Sequence, residues 1–128
     1  MDSGVLIAAT RVTTQDAGDA LALLTDPGRI FITSPFVFLE VVPKAIYFGM
    51  QFEREVYDRY FENAQWYRDL EKIEETARHE AIRTGLGAMD SLHVAAAYLA
   101  RADDFITMEK PAKAIHRSSL VNVRYLFG

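Results

Sequence analysis

Gly85-Leu86-Gly87-Ala88-Met89-Asp90-Ser91-Leu92-His93-Val94-Ala95-Ala96-Ala97, followed by Ala102-Asp103-Asp104-Phe105-Ile106-Thr107-Met108-Glu109-Lys110, decides how this chain reads. The glycines mark a break, Met89 to Ala100 reads as an alanine-rich helix, and Phe105 to Thr107 reads as a short apolar strand. Upstream, Leu70 to Arg83 is a charged amphipathic helix, Ala64 to Tyr67 a short strand, and Gln51 to Asn63 another charged amphipathic helix. Ser34-Pro35 opens a helix that runs through Glu40 toward Met50, because serine can cap and proline suits the first helical position. Pro43 inside that helix removes one backbone bond and is expected to kink it. Arg29 to Thr33 reads as a strand, Asp16 to Leu24 as a helix stopped by Asp26-Pro27-Gly28, and Gly4 to Val12 as a short apolar helix. Val121 to Tyr125 is a last candidate strand.

Strands separated by helical segments predict an α/β sandwich with a mainly parallel sheet. In such sheets, sites form beyond the carboxyl ends of the strands. Asp2, Ser34 and Glu109 all fall at or just past expected strand ends.

The 128 residues suit one domain, read as spanning 1–128 without linker or repeat. Half the residues are hydrophobic and a quarter charged, an ordinary globular composition. With no cysteine there is no disulfide framework and no thiolate metal site. The opening Met1 to Ala9 lacks a basic region, and its apolar run is short for a signal peptide. No stretch reaches the roughly 20 apolar residues of a membrane span. A cytoplasmic location without a membrane partner is the expectation. The formal net charge of −4 runs against the usual sign for nucleic-acid binders. Cations bound at a carboxylate site would reverse the field that an anionic substrate meets there.

Four acids stand out. Glu40 interrupts Phe36-Val37-Phe38-Leu39-Glu40-Val41-Val42, where a buried carboxylate needs a partner or a metal. The equal alternative is an exposed position paired with Lys44 one turn on. Asp90 near a helix start reads locally as a cap or dipole partner, and His93, one turn further, as a core or hydrogen-bonding residue. Asp2 and Glu109 say little alone. The remaining acids of the charged helices, Glu71, Glu74, Glu75 and Glu80 among them, read as solvated faces. Together, several carboxylates in one pocket repel one another, and a hard divalent cation relieves that repulsion. Oxygen-only ligands favour Mg²⁺ or Mn²⁺ over zinc.

Across nearly its whole length the chain resembles the PIN-domain ribonucleases, and within them the VapC-like toxin branch. The resemblance rests on Asp2-Ser3-Gly4-Val5-Leu6-Ile7, on Ser34-Pro35 through Leu39-Glu40-Val41, and on the two stretches quoted first. It implies a three-layer α/β/α sandwich and metal-dependent cleavage of RNA phosphodiesters. It also implies an antitoxin partner, as the toxin of a type II pair, and a homodimer. The family has a full strand before its first aspartate. Here only Met1 precedes Asp2, so the first strand reads as truncated. Where the family often has aspartate two residues after the threonine, this chain has Glu109. Asp103 competes as the fourth acid, and Glu109 is favoured because it lies past the strand end.

The resemblance assigns Asp2 and Asp90 to a first Mg²⁺ (or Mn²⁺), with Glu40 and Glu109 completing the catalytic cluster. Ser3 and Thr107 carry hydroxyls that would orient a ligand or water, or simply bond within local turns. Lys44, Lys110, Lys113 and Arg117 are candidates for an RNA-binding rim, though each alone reads as solvated charge. Single-stranded or looped RNA is the expected target. The main rival is a PIN-fold module that binds RNA or protein without cleaving. Nucleotide binding is disfavoured, since the chain has neither GxGxxG nor a P-loop. An aspartyl phosphohydrolase would want a second acid where Gly4 stands.

Overall fold

The computed structural model describes residues 22–127. Residues 22–24 close a helical turn, and Asp26 then accepts from the Gly28 N–H at 2.9 Å. The elements that follow are β1 (Ile32–Thr33), α1 (Pro35–Tyr47), α2 (Gln51–Asn63), β2 (Gln65–Trp66), α3 (Leu70–Thr84), α4 (Ala88–Leu99), β3 (Asp104–Thr107), a 3₁₀ turn (Ala114–Arg117) and β4 (Asn122–Tyr125). The class is mixed α/β and every strand pair is parallel. β1 pairs with β2 (Ile32 opposite Gln65), and β3 pairs with β4 (Asp104 opposite Asn122). Among the described residues the strands form two small parallel sheets, where the sequence predicted one. The expected first strand and the Gly4 to Val12 helix lie outside the described residues, as does most of the Asp16 to Leu24 helix.

Local chemistry explains the boundaries. Ser34 is extended (φ −143°), and its hydroxyl accepts from the Phe36 N–H at 3.3 Å, with Pro35 opening α1 as expected. α1 runs through Pro43 to Tyr47 and ends short of Met50. Asp69 caps α3 by accepting from the Lys72 N–H at 3.2 Å. Gly85 ends α3 at φ 75°, a left-handed conformation that glycine adopts without steric cost. The strand expected over Arg29 to Thr33 is ordered as a strand only at Ile32–Thr33.

Four apolar clusters fill the interior among the described residues, the smallest joining Leu23 and Ile106. Val37, Val41, Val42 and Ala45 of α1 pack on Tyr57, Tyr60 and Phe61 of α2. Phe38 meets Phe61 edge-on at 5.3 Å, within the range where aromatic pairs gain beyond area burial. Tyr60 ties α2 to β1 by donating to the Ile32 carbonyl, and burial pushes its hydroxyl up to about 12 against a smaller opposing pull from Thr33. Val94 and Ala97 of α4 pack on Phe105, Ile115 and Val121. Ala95 and Ala96, on the same helix, meet Ile73 and Ala77 of α3. α4 therefore touches α1, α3, β1 and β3. Phe105 is fully buried, so truncation to alanine costs about 3–5 kcal/mol by the usual cavity penalty. Among the described residues, no helix is long and apolar enough to cross a membrane.

Glu80 departs from the solvated face expected for its helix. Its side chain is 1% exposed and accepts from Arg83 at 2.7 Å and from the Ser118 hydroxyl. Arg83 also donates to Ser119 at 3.1 Å, so the end of α3 is stitched to the segment after the 3₁₀ turn. Burial alone would raise the Glu80 carboxyl. The Arg83 and Ser118 hydrogen bonds and the Arg83 charge outweigh burial and hold it below its ordinary value of 4.5. A group depressed in the folded state stabilises the fold above its unfolded pKa and loses that contribution as pH falls through the folded value. Glu80→Gln is expected to cost about 1–2 kcal/mol near neutral pH. In urea titrations, the gap between wild type and variant should hold constant above about pH 5 and shrink below it.

Candidate active site

Glu40 sits on α1 between the buried residues Val37 and Val41, with its own side chain 27% exposed. Its described partner is His93 of α4, at 2.8 Å between Oε1 and Nε2, and not Lys44, which is exposed. A carboxylate only accepts, so Nε2 carries the hydrogen and donates. His93 is buried, its side chain 2% exposed, and is held by the alanine-rich packing of α4. The hydrogen-bonding role expected for His93 is thus present, and it spans two helices.

Asp90 lies one turn before His93 in the first turn of α4, half-buried. Residues three apart on a helix share a face, so Asp90 and His93 lie on one side of α4. Gly87 caps α4 with no side-chain bond, and Ser91 donates to the Gly87 carbonyl at 2.8 Å. The helix N-terminus carries partial positive charge, which favours the ionised form of a carboxylate in the first turn.

The other sequence candidates are placed differently. Glu109 stands two residues past β3 and is exposed. Its N–H donates to the Thr107 hydroxyl at 3.0 Å, and its carbonyl accepts from His116 Nε2 at 2.8 Å. Thr107, fully buried, makes the local turn bond that was one of its two expected roles. Asp103 precedes β3, at the opposite strand end from Glu109, and is exposed. Asp2 and Ser3 lie outside the described residues. Among the described residues, no group of three or more His, Asp or Glu gathers in a way that could hold a metal ion. Glu40 and Asp90 fit a hard cation in donor type, both being carboxylate oxygens. Glu109 does not join them in a group of three.

A cavity of about 640 Å³ opens between the two sheets, lined among others by Ile30, Ile32, Thr33, His93, Asp104 and Ile106. His93, the partner of Glu40, is among its lining residues.

Of the proposed rim, Lys44, Lys110 and Lys113 are exposed. Arg117 donates through Nη1 to the Thr84 carbonyl at 2.9 Å, so part of its guanidinium closes the end of α3. Sequence reasoning missed the Glu80 cluster. Its signal was present: Ile73, Ala77 and Glu80 form one buried stripe at helical spacing, continued by Thr84. Comparison with known protein families, curated proteins and solved structures finds no match.

Because Arg117 closes a helix end, Arg117→Ala should lower stability by about 1 kcal/mol. Lys110→Ala and Lys113→Ala should stay within about 0.5 kcal/mol of wild type. Urea midpoints of the three variants check this; equal midpoints would deny Arg117 its structural role.

Proposed function

We propose that the chain is a PIN-type ribonuclease that uses Mg²⁺ or Mn²⁺, with Glu40 and Asp90 at the heart of a cation site completed by Asp2 and Glu109. The observation that carries this reading is the Glu40–His93 hydrogen bond. It holds a carboxylate from an apolar stretch of α1 against α4, one turn from a second carboxylate at a helix N-terminus. Carboxylate oxygens carried on two packed helices are the donor type that a hard divalent cation takes. A bound divalent cation would lower the pKa of an attacking water and neutralise the attacked phosphate. Glu40 and Asp90 would bind and orient the ion, and Lys110 and Lys113, exposed in the loop after β3, would meet the RNA backbone.

The toxin reading adds an antitoxin and a second copy of the chain. Its support is a run of exposed large apolar residues, Ile46, Tyr47, Phe48, Met50 and Phe52, where α1 passes into α2. Such groupings mark association surfaces more often than solvated ones. The homodimer reading predicts a dimer mass in sedimentation at micromolar concentration, reduced to monomer by Tyr47→Ser with Phe48→Ser.

One observation favours the second reading, a module that binds without cleaving. Glu109 is exposed and the described acids do not form a group of three. Cleavage of single-stranded RNA separates the two. The nuclease reading expects Mg²⁺-dependent cleavage, abolished by chelation and lowered about 100-fold by Asp90→Asn. RNA binding without cleavage selects the module. Cleavage indifferent to Asp90→Asn removes the proposed site.

A further inference from the structure

From Lys110 to Arg124 the chain carries Lys110, Lys113, Arg117 and Arg124 and no aspartate or glutamate, in a protein whose formal net charge is −4. Arg124 pairs with Asp104 at 3.4 Å, so the positive charge of this stretch is concentrated in the loop after β3. The tip of that loop is a tight turn. The Lys113 N–H donates to the Lys110 carbonyl at 2.9 Å, and Pro111 stands where proline favours such a turn. The turn brings the two lysine backbones within about 7 Å of each other. Both residues are exposed, and lysines this close can meet neighbouring phosphates of one strand.

Ordering a surface loop on binding costs affinity, but this loop is tied down in advance. Ile115 is buried in the cluster of Val94 and Phe105. His116 Nε2 donates to the Glu109 carbonyl at 2.8 Å and braces the two ends of the loop. Arg117 donates to the Thr84 carbonyl, Ser118 donates to the Glu80 carboxylate, and Ser119 accepts from Arg83. Three consecutive residues are thereby fixed to the end of α3. Glu80 is the hub, because its carboxylate accepts from Ser118 and Arg83 together.

From this arrangement we infer that the loop spanning 110–117 is a preordered grip for the backbone of single-stranded RNA, and that the buried Glu80 is its positioning residue. Lys110 and Lys113 meet the phosphates. Glu80 touches no RNA and acts through Ser118 and Arg83, which fix the chain where the loop ends. The inference rests on the RNA-binding part of the reading above, common to the nuclease and the module, and it needs no divalent cation. It also fixes a sign. Removing the Glu80 charge takes a negative group away from a cationic loop, so electrostatics alone would tighten RNA binding. Loss of the anchor weakens it instead, because the lysines must then be ordered at the expense of binding energy.

The test measures binding of a fluorescently labelled single-stranded oligouridylate to the full chain by anisotropy. It is run in EDTA, so that no cleavage intervenes, over a series of salt concentrations. Lys110→Ala and Lys113→Ala should each weaken binding and reduce the slope of log K against log salt by about 0.7. Glu80→Gln should weaken binding about two- to tenfold, the ordering cost of one or two side chains, with the slope unchanged. Ser118→Ala, which leaves the net charge as it is, should act in the same direction. If Lys110→Ala combined with Lys113→Ala binds RNA as tightly as wild type and with the same slope, the loop is not the grip, although RNA binding itself stands. Folded Glu80→Gln and Ser118→Ala variants that bind as tightly as wild type, or more tightly, overturn the positioning role. Should Glu80→Gln not fold, Ser118→Ala decides alone. A wild type that binds no RNA in EDTA overturns the inference, and Mg²⁺-dependent cleavage then shows whether the nuclease reading survives it. A wild type that binds polyglutamate as tightly as RNA overturns the choice of RNA as the ligand.

Discussion

Everything else in the fold leans on α4. Its middle carries Val94, Ala95, Ala96 and Ala97, all buried, so that the helix packs on several sides at once. Small side chains let neighbouring backbones approach closely, and interiors packed to near-crystalline density resist displacement. α3 lies against one face through Ile73 and Ala77, and β3 against another through Phe105. α1 and β1 meet the rest. A side chain projecting from such a helix has a fixed origin. That fixed origin makes the single bond from His93 to Glu40 a geometric constraint on α1 as well as a contact.

Glu40 and Glu80 are both drawn into the protein, yet the fold treats them in opposite ways. Glu80 is 1% exposed, and Arg83 and Ser118 satisfy it while the same arginine reaches Ser119. Its charge is neutralised locally, its carboxyl is held low, and its effect is to anchor the chain after the 3₁₀ turn. Glu40 is 27% exposed, and its described partner is one histidine nitrogen. No arginine stands across from it among the described residues. A carboxylate saturated by its neighbours in this way acts as a structural clamp. The contrast separates a carboxylate closed off by its neighbours from one that still meets solvent.

The order of helices and strands was legible because it rests on local chemistry. Ser34-Pro35 opened α1, Gly85 closed α3, and the alternation of charged amphipathic and alanine-rich segments marked α2, α3 and α4. Gln51 to Asn63 was placed to the residue. The parallel pairing followed from strands separated by helices. Arg29 to Thr33 was overextended because β-prone residues need a neighbour to pair with, and only Ile32 and Thr33 meet β2. The short 3₁₀ turn at Ala114–Arg117 was missed, since four residues carry little periodicity. Glu80 was misread because its helix looks solvated by composition, and only the stripe through Ile73 and Ala77 reveals its inward side. At the site, Glu40 was recognised as out of place, with a buried partner or metal and an exposed pairing with Lys44 one turn away left as equal alternatives. The partner came from another helix, and pairing across 53 positions cannot be read from local spacing.

The histidine also joins two features that otherwise look separate. It lines the cavity between the sheets and holds the carboxylate beyond it. Its two nitrogens are chemically tied, since donation from Nε2 to a carboxylate determines which hydrogen the ring presents there. The cost of burying an imidazole with one nitrogen unpartnered thus falls at the position where α1, α4 and the inter-sheet cavity converge. A leucine there would pack as well and would leave the carboxylate without its donor.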